Sequence, residues 1–165
     1  SHYAVPRQQA ELVATVANGN FARALELTKT DLNERRGAVV NFLRNALTNN
    51  TIKLFNEIEE LTHQFDRSGI EQWLSLMLLW LRDAQAIREG KSKSLVNVDQ
   101  RESLERFVSN FPEAAHAEAI FRVEEAIALV SKNVYLPLVF ANLAFQLRDA
   151  IAGVRKESFA KIKAP

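Results

Sequence analysis

The chain of 165 residues contains no cysteine. A disulfide scaffold, a cysteine nucleophile and a thiolate metal site are excluded together. Backbone breakers are scarce as well, with five glycines and four prolines in the whole chain, against average usage of roughly 12% for the two. An all-β chain needs many tight turns, so this scarcity points to long helices. Charge of one sign is not in excess: 21 Lys and Arg stand against 20 Asp and Glu, for a net charge of +1. No overall field therefore draws the chain onto nucleic acid or an anionic membrane. Long apolar runs are also missing. The longest, Leu76 to Leu81, is far shorter than the about 18 residues that span a bilayer. Ser1 is not followed by a basic region, an apolar stretch and a small-residue cleavage site, so the expected compartment is the cytoplasm.

What remains is 47% apolar and 25% charged, the composition of a folded domain. At this length a core can form without disulfide or metal staples. Apolar spacing repeatedly fits a period of 3.6. Leu12, Val13, Val16 and Ala17 mark a short helix, stopped by Asn18-Gly19. Asn20 can cap a second, carrying Phe21, Ala24 and Leu25. Asp31 can cap a third, with Val39, Phe42, Leu43, Ala46 and Leu47 on one face and a break at Asn49-Asn50. The next stripe is Leu54, Ile58, Leu61 and Phe65, ended by Ser68-Gly69.

The helix expected over about Ile70 to Arg88 differs from these. From Trp73 to Leu81 it has no polar face beyond Ser75, and a helix apolar all round is buried on all sides. It should be the central rod of the fold. A loop follows at Gly90 to Ser94. Asp99 and Glu102 have the spacing of a capping box for a helix with Leu104, Phe107, Val108 and Phe111 inward. Glu102 and Arg106 form an i,i+4 pair on its outer face. Pro112 suits the first turn of another helix, with stripe Ile120, Val123, Ile127 and Val130. Pro137 can open the last, with Phe140, Leu143, Leu147, Ile151 and Val154 inward. No internal repeat is present. Two short helices before about residue 30 thus lead into an all-α bundle of five or six helices.

Chemistry is sparse. Neither a phosphate-cradling G-x-x-x-x-G-K-[ST] loop nor G-x-G-x-x-G occurs. His2, His63 and His116 are far apart in the chain, and His63 and His116 sit among polar neighbours that suggest exposure. Glu60 with His63, and Glu113 with His116, repeat the E-x-x-H spacing of di-iron bundles. Leu61 and Phe65, and Ile120 and Val123, already claim the inward faces there, so no metal is expected. The pairs Glu59-Glu60 and Glu124-Glu125 point about 100° apart on a helix and do not converge on a substrate. Arg88, Lys91 and Lys93 edge one loop, and Arg155, Lys156, Lys161 and Lys163 form a basic tail. These support an alternative reading as a helical nucleic-acid module, although only Phe159 is at hand for base stacking. Arg82-Asp83 directly follows the apolar run. These charges mark either the point where the helix emerges into water or a contact with a neighbouring helix or subunit, since a buried ion pair is kept only where partners satisfy it.

Three ordered stretches carry a resemblance: LWLRD at Leu79 to Asp83, LVNVD at Leu95 to Asp99, and NVYLPLVFANLAFQL at Asn133 to Leu147. With ANGNFARALEL at Ala17 to Leu27, their order resembles the carboxy-terminal region of the bacterial DNA polymerase III delta-prime subunit, a clamp-loader ATPase relative. The resemblance implies the end of an AAA+ lid over residues 1–30 and a helical collar of the clamp-loader type over 31–165. It implies an assembly role without catalysis or cofactor. The collar would pack against the delta and gamma/tau subunits of a ring that loads a sliding clamp onto primed DNA. Arg23 matches the lid arginine that senses nucleotide in related active subunits. Tyr135 and Leu136 before Pro137 depart from the family's usual Asn directly before Pro. Aromatic and Arg residues anchor interfaces most often, and Arg82, Asp83, Arg148 and Asp149 are the interface candidates.

Overall fold

In the computed structural model, residues 7–17, 19, 24, 31–48 and 50–153 are described. All regular structure among them is helical. Seven α-helices follow in order: α1 Arg7–Ala17, α2 Leu32–Leu47, α3 Thr51–Gln64, α4 Arg67–Arg88, α5 Arg101–Asn110, α6 His116–Val130 and α7 Leu136–Ala152. Two short 3₁₀ turns, Ser92–Ser94 and Val98–Gln100, lie between α4 and α5.

The apolar run of α4 does what its composition requires. Ile70, Trp73, Leu74, Leu76, Met77, Leu79, Trp80, Leu81 and Ala84 are all buried. Helices α2, α5 and α6 pack around this rod, and α1 touches it too. Helix α7 closes the bundle against α2, α3 and α6. Phe42 of α2, Trp73 of α4 and Phe140 of α7 meet edge to face, with ring centroids 5.3, 5.7 and 5.9 Å apart. Each ring presents its positive edge to a neighbour's negative face, which favours this geometry over parallel stacking. Trp80 and Phe107 repeat the arrangement between α4 and α5, at 4.9 Å. Leu12, Val13, Val16 and Ala17 of α1 join the same core.

Capping chemistry fixes the helix ends. The Asp31 carboxylate accepts from the backbone N–H of Asn33 and Glu34 at 2.9 and 3.2 Å, satisfying two donors that α2 itself cannot. Asn50 accepts from Lys53 N–H to start α3. At the far end of α4, Gly90 takes the left-handed region at φ +74°. Its N–H donates to Ile87 O, and Lys91 N–H donates to Ala86 O at 2.8 Å. This is a Schellman ending, for which glycine is the residue of least strain. Pro137 stands in the first turn of α7, as its missing N–H allows.

Four local expectations are corrected. Ser68-Gly69 does not end α3; that helix stops at Gln64, and Asp66 caps α4 by accepting from Gly69 N–H at 2.8 Å. Pro112 lies in a turn, and α6 begins four residues later at His116. Asp99 does not cap α5, whose N-cap is Gln100. The inward line of α6 runs His116, Ala119, Val123, Ala126, Val130, with Ile120 and Ile127 only partly buried on its flank. The two alanines put small side chains on the face toward the bundle, where α6 packs on α4 and α7. The expected second helix with Asn20, Phe21 and Leu25, Arg23, Val154 and the basic tail lie outside the described residues.

Candidate assembly surfaces and the loop between α4 and α5

The four interface candidates separate by environment. Arg82 reaches across to α6 and donates to Glu124 at 2.9 Å, with both side chains about half exposed (51% and 45%). Its partner is thus a neighbouring helix of the same chain. Asp83, one residue on, is 4% exposed and turned inward. Its carboxylate accepts from Val96 N–H at 3.1 Å, Asn97 N–H at 2.7 Å and the Asn97 side-chain amide at 2.8 Å. A buried carboxylate needs such compensation, and here the compensation fastens a loop. Arg148 of α7 donates to Ala46 O at 2.7 Å and Thr48 O at 3.2 Å. A cation at the C-terminal end of α2 also meets the negative pole of that helix. Asp149 beside it is half-buried, and its carbonyl accepts from Gly153 N–H.

The Asp83 cluster continues further than the sequence suggested. Asn97 accepts from Arg36 of α2 at 3.3 Å. Arg36 also grips Asp99 through two bonds of 2.8 and 2.7 Å and donates to Asn33 at 2.6 Å. The Arg36 guanidinium hydrogen-bonded to Asp99 holds that carboxyl below the usual range, against the opposing effect of its partial burial. Residues 96–99 are therefore tied to both α2 and α4. Arg36 is only 8% exposed. A signal for it existed: Leu32, Arg36, Val39, Leu43 and Ala46 fall at helical spacing on one line, and the arginine interrupts an apolar stripe.

His116 is also buried, contrary to its expected exposure. Its Nδ1 lies 3.1 Å from Ala114 O and 3.2 Å from the Arg88 guanidinium, and its Nε2 has no partner. Burial pushes its pKa down, opposed by the Ala114 carbonyl and assisted by the nearby Arg88 charge. The position follows from α6 starting at residue 116, which puts the ring on the inward line. Glu113 sits in the preceding turn, so Glu113 and His116 do not share a helical face. His63 is exposed and bonded to Glu59 O at 2.7 Å. Glu124 pairs with Arg82, whereas Glu125 pairs with Arg122, so the adjacent carboxylates serve different partners. Among the described residues no three His, Asp or Glu converge as a metal site would require.

The loop cations are partly engaged. Arg88 turns inward to donate to Ala114 O. Lys91 pairs with Glu89 at 2.7 Å, and that hydrogen bond raises the lysine pKa and lowers the carboxylate's. Lys93 is exposed. In contrast, several large apolar side chains face outward. On α7, Leu138 (66% exposed) and Phe145 (43%) fall two turns apart on one line, beside Tyr135 (73%) at the helix start. Ile52 and Phe55 do the same on the first turn of α3.

A family model described as DNA polymerase III, delta subunit, C terminal, matches residues 30–134. The match covers more than half of the chain and spans α2 to α6. The chain belongs to this family, the carboxy-terminal domains of DNA polymerase III delta subunits. This membership makes it a component of the polymerase's clamp loader, with other loader components as partners. The boundary at residue 30 falls beside the Asp31 cap that opens α2, and α7 lies beyond the matched residues. No curated protein and no solved structure matches the chain significantly. No helix of this family member, among the described residues, is long and apolar enough to cross a membrane.

Proposed function

We propose that the chain is the assembly portion of a delta-prime-like clamp-loader subunit: residues 31–165 form its collar, and residues 1–30 the end of its AAA+ lid. The observation that carries this reading is the family match over residues 30–134. The ordered stretches at Leu79 to Asp83, Leu95 to Asp99 and Asn133 to Leu147 favour delta-prime within that family. In this role the chain catalyses nothing and needs no cofactor. It packs against the delta and gamma/tau subunits in the cytoplasm, and through them it serves the sliding clamp and primed DNA.

The collar's contacts form chiefly through side chains that the bundle leaves outside. Tyr135, Leu138 and Phe145 give α7 an apolar outer line, and apolar and aromatic side chains dominate obligate interfaces. Arg82 stands on the surface as a polar neighbour of such a contact. Asp83 serves indirectly, by holding the loop after α4, and Arg148 by holding the end of α2.

The experiment is reconstitution of the loader from purified subunits, followed by size-exclusion chromatography. The chain is expected to co-elute with the gamma/tau and delta subunits and to compete with full-length delta-prime for its place. Leu138→Asp with Phe145→Asp should abolish co-elution while leaving the circular dichroism unchanged. Competition with delta instead of delta-prime would overturn the subunit assignment. Absence of any association would overturn the assembly reading.

A further inference from the structure

Where α2 and α5 both border α4, an open groove of about 420 Å³ runs between them. Leu43, Trp80 and Phe107 form its buried floor. Val40, Leu47 and Phe111 are only partly buried along its walls. Apolar walls left half in water gain when another surface covers them. No side chain of α7 lines this groove, so it is separate from the apolar line on that helix.

The charge around the groove is one-sided. Arg44 stands on the α2 side and Arg106 on the α5 side, both exposed, and no Asp or Glu lines it. The net charge of the whole chain is only +1, so this basic bias is local. Arg44 donates to the neutral Asn41 side chain at 3.1 Å. Past Thr48 the surface continues into a shallow depression that Arg44 shares with Lys53 of α3. Among the described residues neither Arg44 nor Lys53 has a carboxylate within ion-pair distance. Arg106 has one, Glu102 of its own helix at 3.0 Å, but both side chains are exposed (70% and 85%). An exposed pair of this kind holds its members weakly.

Charge complementarity selects the occupant. We infer that the groove docks a segment of a partner protein that carries Asp or Glu beside apolar side chains. The apolar side chains would enter between Val40, Leu47 and Phe111. The carboxylates would meet Arg44 and Arg106 at the two rims, where a guanidinium offers two parallel donors to one carboxylate. Two other occupants fit less well. The chain's own tail carries Arg155, Lys156, Lys161 and Lys163 against Glu157, and would set like charges side by side. A nucleic acid would find cations for its phosphates but no free ring for its bases. Trp80 and Phe107 are buried and engaged edge to face at 4.9 Å, and Phe111 leans on Phe107 at 5.3 Å. The inference is independent of which loader subunit the chain represents.

The test uses the purified chain and a fluorescein-labelled amphipathic peptide of about 15 residues, with glutamates on one face and leucines beside them. Its counterparts carry Gln or Lys at every glutamate, or Ala at every leucine. Anisotropy at low salt should show binding of the Glu peptide, weaker binding of the Gln and Ala peptides, and none of the Lys peptide. Arg44→Gln with Arg106→Gln should weaken binding of the Glu peptide by about two- to thirty-fold. Lys91→Gln with Lys93→Gln, in the loop after α4, should leave it unchanged. In a methyl-labelled sample, saturation with the Glu peptide should move the signals of Val40 and Leu47 and spare that of Leu138 on α7. Equal binding by the Arg44/Arg106 variant, equal binding of the Gln and Glu peptides, stationary Val40 and Leu47 signals, or no binding at all would each overturn the inference. So would displacement of the peptide by oligo-dT, which would assign the groove to nucleic acid. Tighter peptide binding after removal of residues 154–165 would overturn it in favour of the tail. Retained helicity of the variants, checked by circular dichroism, separates loss of the site from loss of the fold.

Discussion

Replacing Asp83 by Ala removes one acceptor group and strands three donors: the backbone N–H of Val96 and Asn97, and the Asn97 side-chain amide. Asp83 and Asn97 are 4% and 2% exposed, so water does not freely replace the lost carboxylate. A buried donor left unsatisfied costs about 1–3 kcal/mol. Partial relaxation of the loop recovers some of this, and the expected loss from the three donors together is about 3–5 kcal/mol. Asp83→Asn retains one acceptor oxygen and should lose roughly half as much. The assay is urea unfolding followed by tryptophan fluorescence. With a slope of about 2 kcal/mol/M, the Ala variant's midpoint should fall by about 2 M. Amide hydrogen exchange gives a local readout: Val96 and Asn97 should lose protection first, while the middle of α4 keeps it. Combining Asp83→Ala with Asn97→Ala should cost less than the sum of the two, because the second removes one of the three donors that the first had stranded, the Asn97 side-chain amide. A loss below about 1 kcal/mol for Asp83→Ala, or strict additivity of the pair, would refute the reasoning.

Other perturbations have equally definite outcomes. His116 has a depressed pKa in the folded chain, so its contribution is present above the unfolded histidine value of about 6.5 and is lost as pH falls below it. Urea midpoints measured from pH 7.5 down to pH 5 should decline, and His116→Gln should flatten that decline. Phe140→Ala empties one corner of the ring cluster with Phe42 and Trp73, for an expected cost of about 3–5 kcal/mol in chemical denaturation. Arg82→Ala breaks an exposed pair with Glu124 and should change stability by less than about 1 kcal/mol. If it nevertheless weakens association with loader subunits, its role is at the interface and not in folding.

Regular features of this fold were legible where one residue decides locally. The apolar run from Trp73 to Leu81 predicts a buried rod, and α4 is that rod. Asp31 starts α2, α2 ends before the break expected at Asn49-Asn50, Pro137 opens α7, and Glu102 pairs with Arg106 at 3.0 Å. Legibility failed where a local signal competes with a distant partner. Asp99 has the spacing of a cap, but Arg36, 63 residues earlier in the chain, claims its carboxylate with two bonds. Pro112 is compatible with a helix start, yet the N–H of Ala115 is bound by Ala150 O of α7 at 2.8 Å. That contact ties the turn to α7, and the helix starts only at His116. The groove between α2 and α5 was invisible for the same reason. Val40 and Arg44 belong to one helix and Arg106 and Phe107 to another far along the chain, and only the packing of both on α4 brings them to one groove.

The segment joining α4 to α5 is stitched at both borders, to α4 by Asp83 and to α2 by Arg36. Connections of this kind usually provide slack, and slack absorbs displacement. Here a shove delivered to the front of α2 reaches α5 through a guanidinium–carboxylate clasp, with no pliable hinge between.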